Sequence, residues 1–95
     1  MKLSFSESAV NDLIRLRKFV EQNNPSQAQK IARQLIGAIK KLQSFPQIGR
    51  WVSDLPGEIR DMAFGYYVFR YGVTEEHIYI LRIWHGLEHR PQYLD

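Results

Sequence analysis

The sequence predicts an α+β domain: an N-terminal strand and a two-helix hairpin packed on a small antiparallel sheet. Three observations lead there. Two dense apolar runs, Tyr66 to Val73 and His77 to Trp84, are rich in β-branched and aromatic residues and too short for a lone helix. Residues 28–42 carry apolar side chains at helical spacing over more than three turns. Between the start of the chain and that helix, Pro25 forces a turn, because the residue before a proline is pushed out of helical geometry. Strand, helix, helix and three strands in that order describe layered α+β packing over one core.

Lys2 to Phe5 alternates Lys-Leu-Ser-Phe, which suits a short edge strand. Ser6 then stands as an N-cap, its hydroxyl able to accept from an amide of the first turn, and Glu7 complements the helix dipole. The first helix is expected to bury Val10, Leu13, Ile14 and Val20, with Leu16 and Phe19 widening the stripe, and to end near Asn24. Asn24 as cap and Pro25 at the first helical position open the second helix. There Ala28, Ile31, Ala32, Leu35, Ile36, Ile39 and Leu42 form the apolar stripe, so an aspartate at either Leu35 or Ile36 is expected to abolish folding. Gly37 interrupts that stripe at about 1 kcal/mol relative to alanine, a cost that fits close helix–helix approach or simple tolerance. Arg33, Lys40 and Lys41 project from the opposite side. Ser44 to Gly57 holds Pro46, Gly49, Pro56 and Gly57 and reads as a loop, with Trp51 inside it either plugging the core or anchoring a partner.

The strands follow. Ile59 to Phe64 is the first, turned at Gly65; Thr74-Glu75-Glu76 closes a hairpin between the two apolar runs. Alternation splits the last strand into Ile78, Ile80, Arg82 and Trp84 on one face and Tyr79, Leu81, Ile83 and His85 on the other. Arg82 is conspicuous, because a guanidinium at the centre of a sheet needs a partner, a ligand or an open face.

Composition narrows the function. Ninety-five residues, 44% hydrophobic and 24% charged, suit a single soluble domain over residues 1–95. With no cysteine there is neither a disulfide framework nor a thiolate metal site. No run approaches the roughly 18 apolar residues that span a bilayer, and the start lacks a signal-peptide core, so a cytoplasmic protein with no membrane partner is expected. The net charge of +3 is unevenly placed. Through Gly49 eight basic and three acidic residues leave +5; from Arg50 onward five arginines and seven acids leave −2. The basic half is the helical half, which fits a solvated surface, an acidic partner or nucleic acid.

Catalytic motifs are sparse. His85 and His89 are four apart, but the segment follows a strand and includes Gly86 and Pro91, and no third ligand stands at a recognised spacing, so no metal is expected. There is no phosphate-binding glycine loop and no serine in a nucleophile elbow, and no cofactor is expected.

In order along the chain stand FPQIGR (45–50), IRDM (59–62), YYVFRYGV (66–73) and IYILRIWHG (78–86), then a charged tail. This ordered set resembles the RelE/ParE superfamily, the toxin halves of bacterial type II toxin–antitoxin (plasmid stabilisation) modules. The likeness spans nearly the whole chain and is closer to the ParE branch, whose usual ending is an ILRI-type strand, His-Gly and an Arg-Arg-Asp-like triplet. Here His85-Gly86 is followed by Leu87-Glu88-His89-Arg90, so those arginines are displaced or missing.

The resemblance implies one of two activities. RelE-like relatives cut messenger RNA on the ribosome, holding the phosphate with sheet-face cations and moving a proton through a group near the C-terminus. By position Arg60 stands where a sheet-face lysine is usual, Met62 takes the next place, and Val68 replaces an arginine, with Arg70 two residues on. The tail arginine falls on Leu87. The nuclease candidates are then Arg60, Arg82, His85, His89, Arg90 and Tyr93, an incomplete set, and His85 reads better as a buried histidine bonded to backbone that closes the last strand than as a general base. ParE-like relatives instead bind and poison DNA gyrase, which needs a surface rather than a reaction centre. The missing arginines favour gyrase over ribosome-bound messenger RNA. Under both readings an antitoxin segment lies in the groove between helices and sheet, giving a toxin–antitoxin hetero-oligomer. Partner-binding candidates are Arg33, Lys40, Lys41, Trp51, Arg70 and Trp84. A third reading is an interaction module that has lost its toxicity.

Overall fold

A computed structural model describes residues 1–86 of the chain. The elements are β1 (Lys2–Phe5), α1 (Glu7–Asn23), a 3-10 turn (Pro25–Gln27), α2 (Ala28–Ser44), β2 (Arg50–Trp51), β3 (Ile59–Phe64), β4 (Tyr67–Val73) and β5 (His77–His85). The strands form a five-stranded sheet in the order β1-β5-β4-β3-β2. β1 runs parallel to β5, with Lys2 opposite His77 and Phe5 opposite Ile80; the other pairs are antiparallel. Both tight connections use the expected residues. Gly65 turns β3 into β4 at a φ of 58°, and Thr74 bonds back to the His77 carbonyl across the second hairpin. One face of this α+β sheet is covered by the helices. The core joins Leu16 and Val20 of α1 and Leu35, Ile39 and Leu42 of α2 to Phe69, Tyr71, Ile78, Ile80 and Ile83 of the sheet.

Several details depart from expectation. In α1 the buried residues are Ala9, Asp12, Leu16 and Val20, whereas Val10 and Ile14 are 44% and 51% exposed. The cause is Asp12. Its carboxylate is drawn to the edge of β5, and Ile14 then lies roughly 200° around the helix and faces outward, at about 100° per residue. In α2 Leu35, Ala38, Ile39 and Leu42 are buried, but Ile36 is 54% exposed. An aspartate at Ile36 is therefore tolerable, and the expectation of unfolding holds for Leu35 alone. Asn24 precedes the 3-10 turn without a side-chain capping bond, and α2 proper starts at Ala28. Gly37 serves no helix contact: a Cβ there would meet nothing within 4 Å. The loop after α2 contains β2, a strand of two residues.

The simple alternation of β5 also fails. Tyr71 is opposite Ile80 and Arg70 opposite Arg82, so Leu81 is an extra residue, a β-bulge. The core set slips accordingly from Ile78 and Ile80 to Ile83. Beyond Ile80, where β1 has ended, α1 takes over the edge of β5. The Ser6 amide donates to the Ile80 carbonyl (2.9 Å) and its hydroxyl to the Leu81 carbonyl (2.9 Å). The Ile83 amide donates to Asp12 Oδ2 (2.8 Å), and Arg15 donates to the Ile83 carbonyl (3.2 Å). Ser6 also caps its helix as expected, accepting from the Ala9 amide.

Candidate functional site

Three arginines of the sheet, Arg60, Arg70 and Arg82, are tied to carboxylates of the same chain. On α1, Asp12 accepts from Arg82 Nε (2.9 Å) and Nη2 (3.3 Å) and from Arg15 Nη1 (2.6 Å), as well as from the Ile83 amide. Burial pushes the Asp12 carboxyl up, but these donors outweigh it and hold the group below the ordinary carboxylate value. Across β3 and β4, Arg70 and Asp61 stand opposite each other and form a two-pronged pair at 2.8 and 2.9 Å. The hydrogen bond to Asp61 raises Arg70 above its usual value against the opposing effect of burial. Trp84 stacks on the Arg70 guanidinium at 5.5 Å. Arg60 pairs with Glu58 (2.9 Å) and also donates to the carbonyls of Gln47 (3.3 Å) and Gly49 (2.8 Å).

Each sequence candidate can now be placed. Arg60, Arg82 and His85 lie on strands, but the structure does not gather them into a reaction centre. Arg60 is committed to the loop after α2, Arg82 to Asp12, and His85 is buried among the rings of Phe19, Tyr66 and Tyr67 at 5.0–5.7 Å. His89, Arg90, Tyr93 and Leu87 lie outside the described residues. Of the partner-binding candidates, Arg70 and Trp84 are 3% and 6% exposed and lie beneath the surface, which corrects their reading as contact residues. Arg33, Lys40 and Lys41 are exposed on α2. Trp51 is 49% exposed on β2 with the Arg60 guanidinium 5.0 Å over its ring, so it does not plug the core. Two carboxylates, Asp12 and Asp61, organise the arginines and were not singled out from the sequence. Their signals were present: an aspartate at i+3 from Ala9 and i−4 from Leu16, and an Asp beside Arg60 in an otherwise apolar strand.

Two concavities flank the helices. A groove of about 540 Å³ lies between α2 and β3, lined by Gly37, Ala38, Lys41, Ile48, Met62 and Phe64 among others. A narrower apolar cleft of about 220 Å³ separates α1 from α2, with Leu13, Leu16, Ile31 and Ile36 on its walls. Gly37 widens the first groove by presenting no side chain to it. Among the described residues no group of three or more His, Cys, Asp or Glu is placed to hold a metal, and no helix is long and apolar enough to cross a membrane.

The family described as "ParE toxin of type II toxin-antitoxin system, parDE" matches residues 3–90. Toxin RelE1 of Caulobacter vibrioides is 34% identical over 87 residues, covering 90% of this chain and 92% of that one. A chain of the solved chromosomal ParDE toxin–antitoxin system from P. aeruginosa superposes with a TM-score of 0.74 at 25% identity, covering 90% of this chain and 95% of that one. With strand, helical hairpin and five-stranded sheet in the same arrangement, the chain belongs to the ParE toxin family of type II toxin–antitoxin systems.

Proposed function

We propose that this toxin acts by binding DNA gyrase, that it is neutralised by an antitoxin encoded with it, and that it cleaves no RNA. The observation that carries the reading is the neutralisation of three arginines on the central strands. Arg60, Arg70 and Arg82 each meet a carboxylate of their own chain, while Met62 and Val68 stand where a nuclease of this fold presents cations. A pentacoordinate phosphate needs cations aimed at it, and one lost donor of that kind costs ~3–4 kcal/mol of transition-state stabilisation. His85, enclosed by three rings, is poorly placed to take a proton from a ribose hydroxyl. The groove between α2 and β3, with Lys41 at its lip, suits an antitoxin segment carrying apolar and acidic side chains, and the partner is expected to form a hetero-oligomer with the toxin.

The experiment is a pair of assays on purified toxin. On this reading it inhibits supercoiling and makes cleaved DNA accumulate with gyrase, while ribosome-bound messenger RNA stays intact, and added antitoxin reverses the effect. New 5′ ends on ribosome-bound message with gyrase unaffected would establish instead the RNA-cleaving alternative, towards which the name of the Caulobacter relative, Toxin RelE1, points.

A further inference from the structure

The groove between α2 and β3 reaches the edge of the sheet as well as its helical face. Asp61, Met62, Ala63 and Phe64 all line it, although consecutive residues of a strand point to opposite faces. Four residues in a row are met together only from the side, where a strand offers its backbone. That side is bare beyond Asp61. β2 pairs with β3 at Arg60 and Asp61, whereas β3 runs on to Phe64. The Val52 amide donates to the Ile59 carbonyl (2.8 Å), and the Val73 amide donates to the Glu58 carbonyl (2.9 Å). By the alternation of an antiparallel ladder, residues 59, 61 and 63 therefore aim their backbone groups away from β4. Ala63 is exposed and has no partner on that side among the described residues. The chain that would extend β2 alongside it is drawn off to the helical face, where the Gly49 amide donates to the Tyr71 hydroxyl (2.8 Å).

We infer that the antitoxin enters this groove as an extended segment that pairs with β3 at Ala63 and continues the line of β2, an inference that rests on the antitoxin reading of the groove. Three features commit the site to that occupant. The free N–H and C=O of Ala63 are answered by another extended backbone and not by a helix, whose backbone bonds are internal. On either side of the residue opposite Ala63, the segment's side chains fall on the face of Met62 and Phe64, toward α2. Gly37 leaves room for them there, since a Cβ on it would meet nothing within 4 Å. Charge argues against a second copy of the toxin. α2 carries Lys30, Arg33, Lys40 and Lys41 and no acid, so pairing two toxins along this edge would bring two basic helices together. A segment with apolar side chains flanking the paired residue, and a carboxylate within reach of Lys41, fits instead.

The experiment uses the toxin and the antitoxin encoded beside it. In the wild-type chain the Ala63 amide, followed by NMR, should exchange with deuterium roughly 100-fold more slowly in the complex than in the free toxin. Ala63→Pro removes that outward donor and no bond to β4, so the domain should fold as the parent does. Its affinity for the antitoxin should nevertheless fall by roughly tenfold or more. Gly37→Leu replaces a poor helix former and fills the groove, so the thermal midpoint should hold or rise while affinity falls by roughly tenfold or more. An Ala63 amide left unprotected in the complex would overturn the inference. So would full affinity in a folded Ala63→Pro chain; if Gly37→Leu still blocks capture, the groove then holds a helix. Intact capture by Gly37→Leu would defeat the groove reading itself, and the strand with it. Self-association of the toxin alone that disappears in Ala63→Pro would assign the edge to a second copy and overturn the inference equally.

Discussion

At one border of the sheet, β5 continues past the last residue paired with β1, and α1 covers its backbone with Ser6, Asp12 and Arg15. At the other, β2 ends the sheet after two residues, and the loop before it is fastened with its apolar side chains outward. Both borders consume buried polar groups, but to opposite ends. The first set closes an edge that would otherwise pair with another chain, a recognised liability of exposed strands. The second set holds an edge open. Polar side chains inside this small domain therefore decide which surfaces are sealed and which are presented, a division that apolar packing alone does not make.

The comparison breaks most visibly at Asp12. Asp12→Ala leaves the Arg82 charge without its carboxylate and the Ile83 amide without its acceptor, and should lower the unfolding free energy by ~3–5 kcal/mol. Urea denaturation measures this; a loss below ~1 kcal/mol would mean that the edge is closed by other groups. Acid sharpens the same point. The folded Asp12 carboxyl lies below its unfolded value, so its contribution is fully present above about pH 3.9 and is lost as pH falls through the folded value. Stability should accordingly decline below about pH 4, and Asp12→Asn should flatten that part of the profile.

Tyr71→Phe comes next in size. It removes the hydroxyl that both holds Pro46 and receives the Gly49 amide, at ~1–3 kcal/mol. Urea denaturation reads the loss; a midpoint equal to the parent's would show that the Arg60 bonds to Gln47 and Gly49 hold the loop without the hydroxyl. Trp51→Ala should be the smallest. It forfeits the stacking of Arg60, ~0.5–1 kcal/mol at an exposed site, and the denaturation midpoint should barely move. A large shift would show that the open border is part of the core after all.

Strands β4 and β5 were legible because each is a dense β-branched and aromatic run bounded by Gly65 or by Thr74-Glu75-Glu76, signals that act within a few residues, and β3 was placed by the turn at Gly65 that follows it. α2 was legible in position for a similar reason, its period extending over many turns. What escaped were features set by contacts distant in sequence. The inward face of α1 follows from a bond between Asp12 and Ile83, 71 residues apart, and hydropathy gave Val10 and Ile14 the place that an aspartate occupies. The bulge at Leu81 shifts a face without leaving a mark in composition. β2 is too short for any periodicity. Arg82 was recognised as needing a partner, but nothing near it in sequence named Asp12.

The parallel pairing of β1 with β5 carries a consequence in time. Lys2 to Phe5 must wait for His77 to Ile80 before they have a neighbour, so the first strand synthesised is completed by the last. Such distant pairing is entropically late and slow compared with closing a hairpin. Any nascent chain that has not yet delivered β5 lacks both the neighbour of β1 and the backbone on which Asp12 folds down. Until β5 has been made, the chain therefore carries two unfinished borders, the backbone of β1 and the polar face of α1, and both are closed in one event.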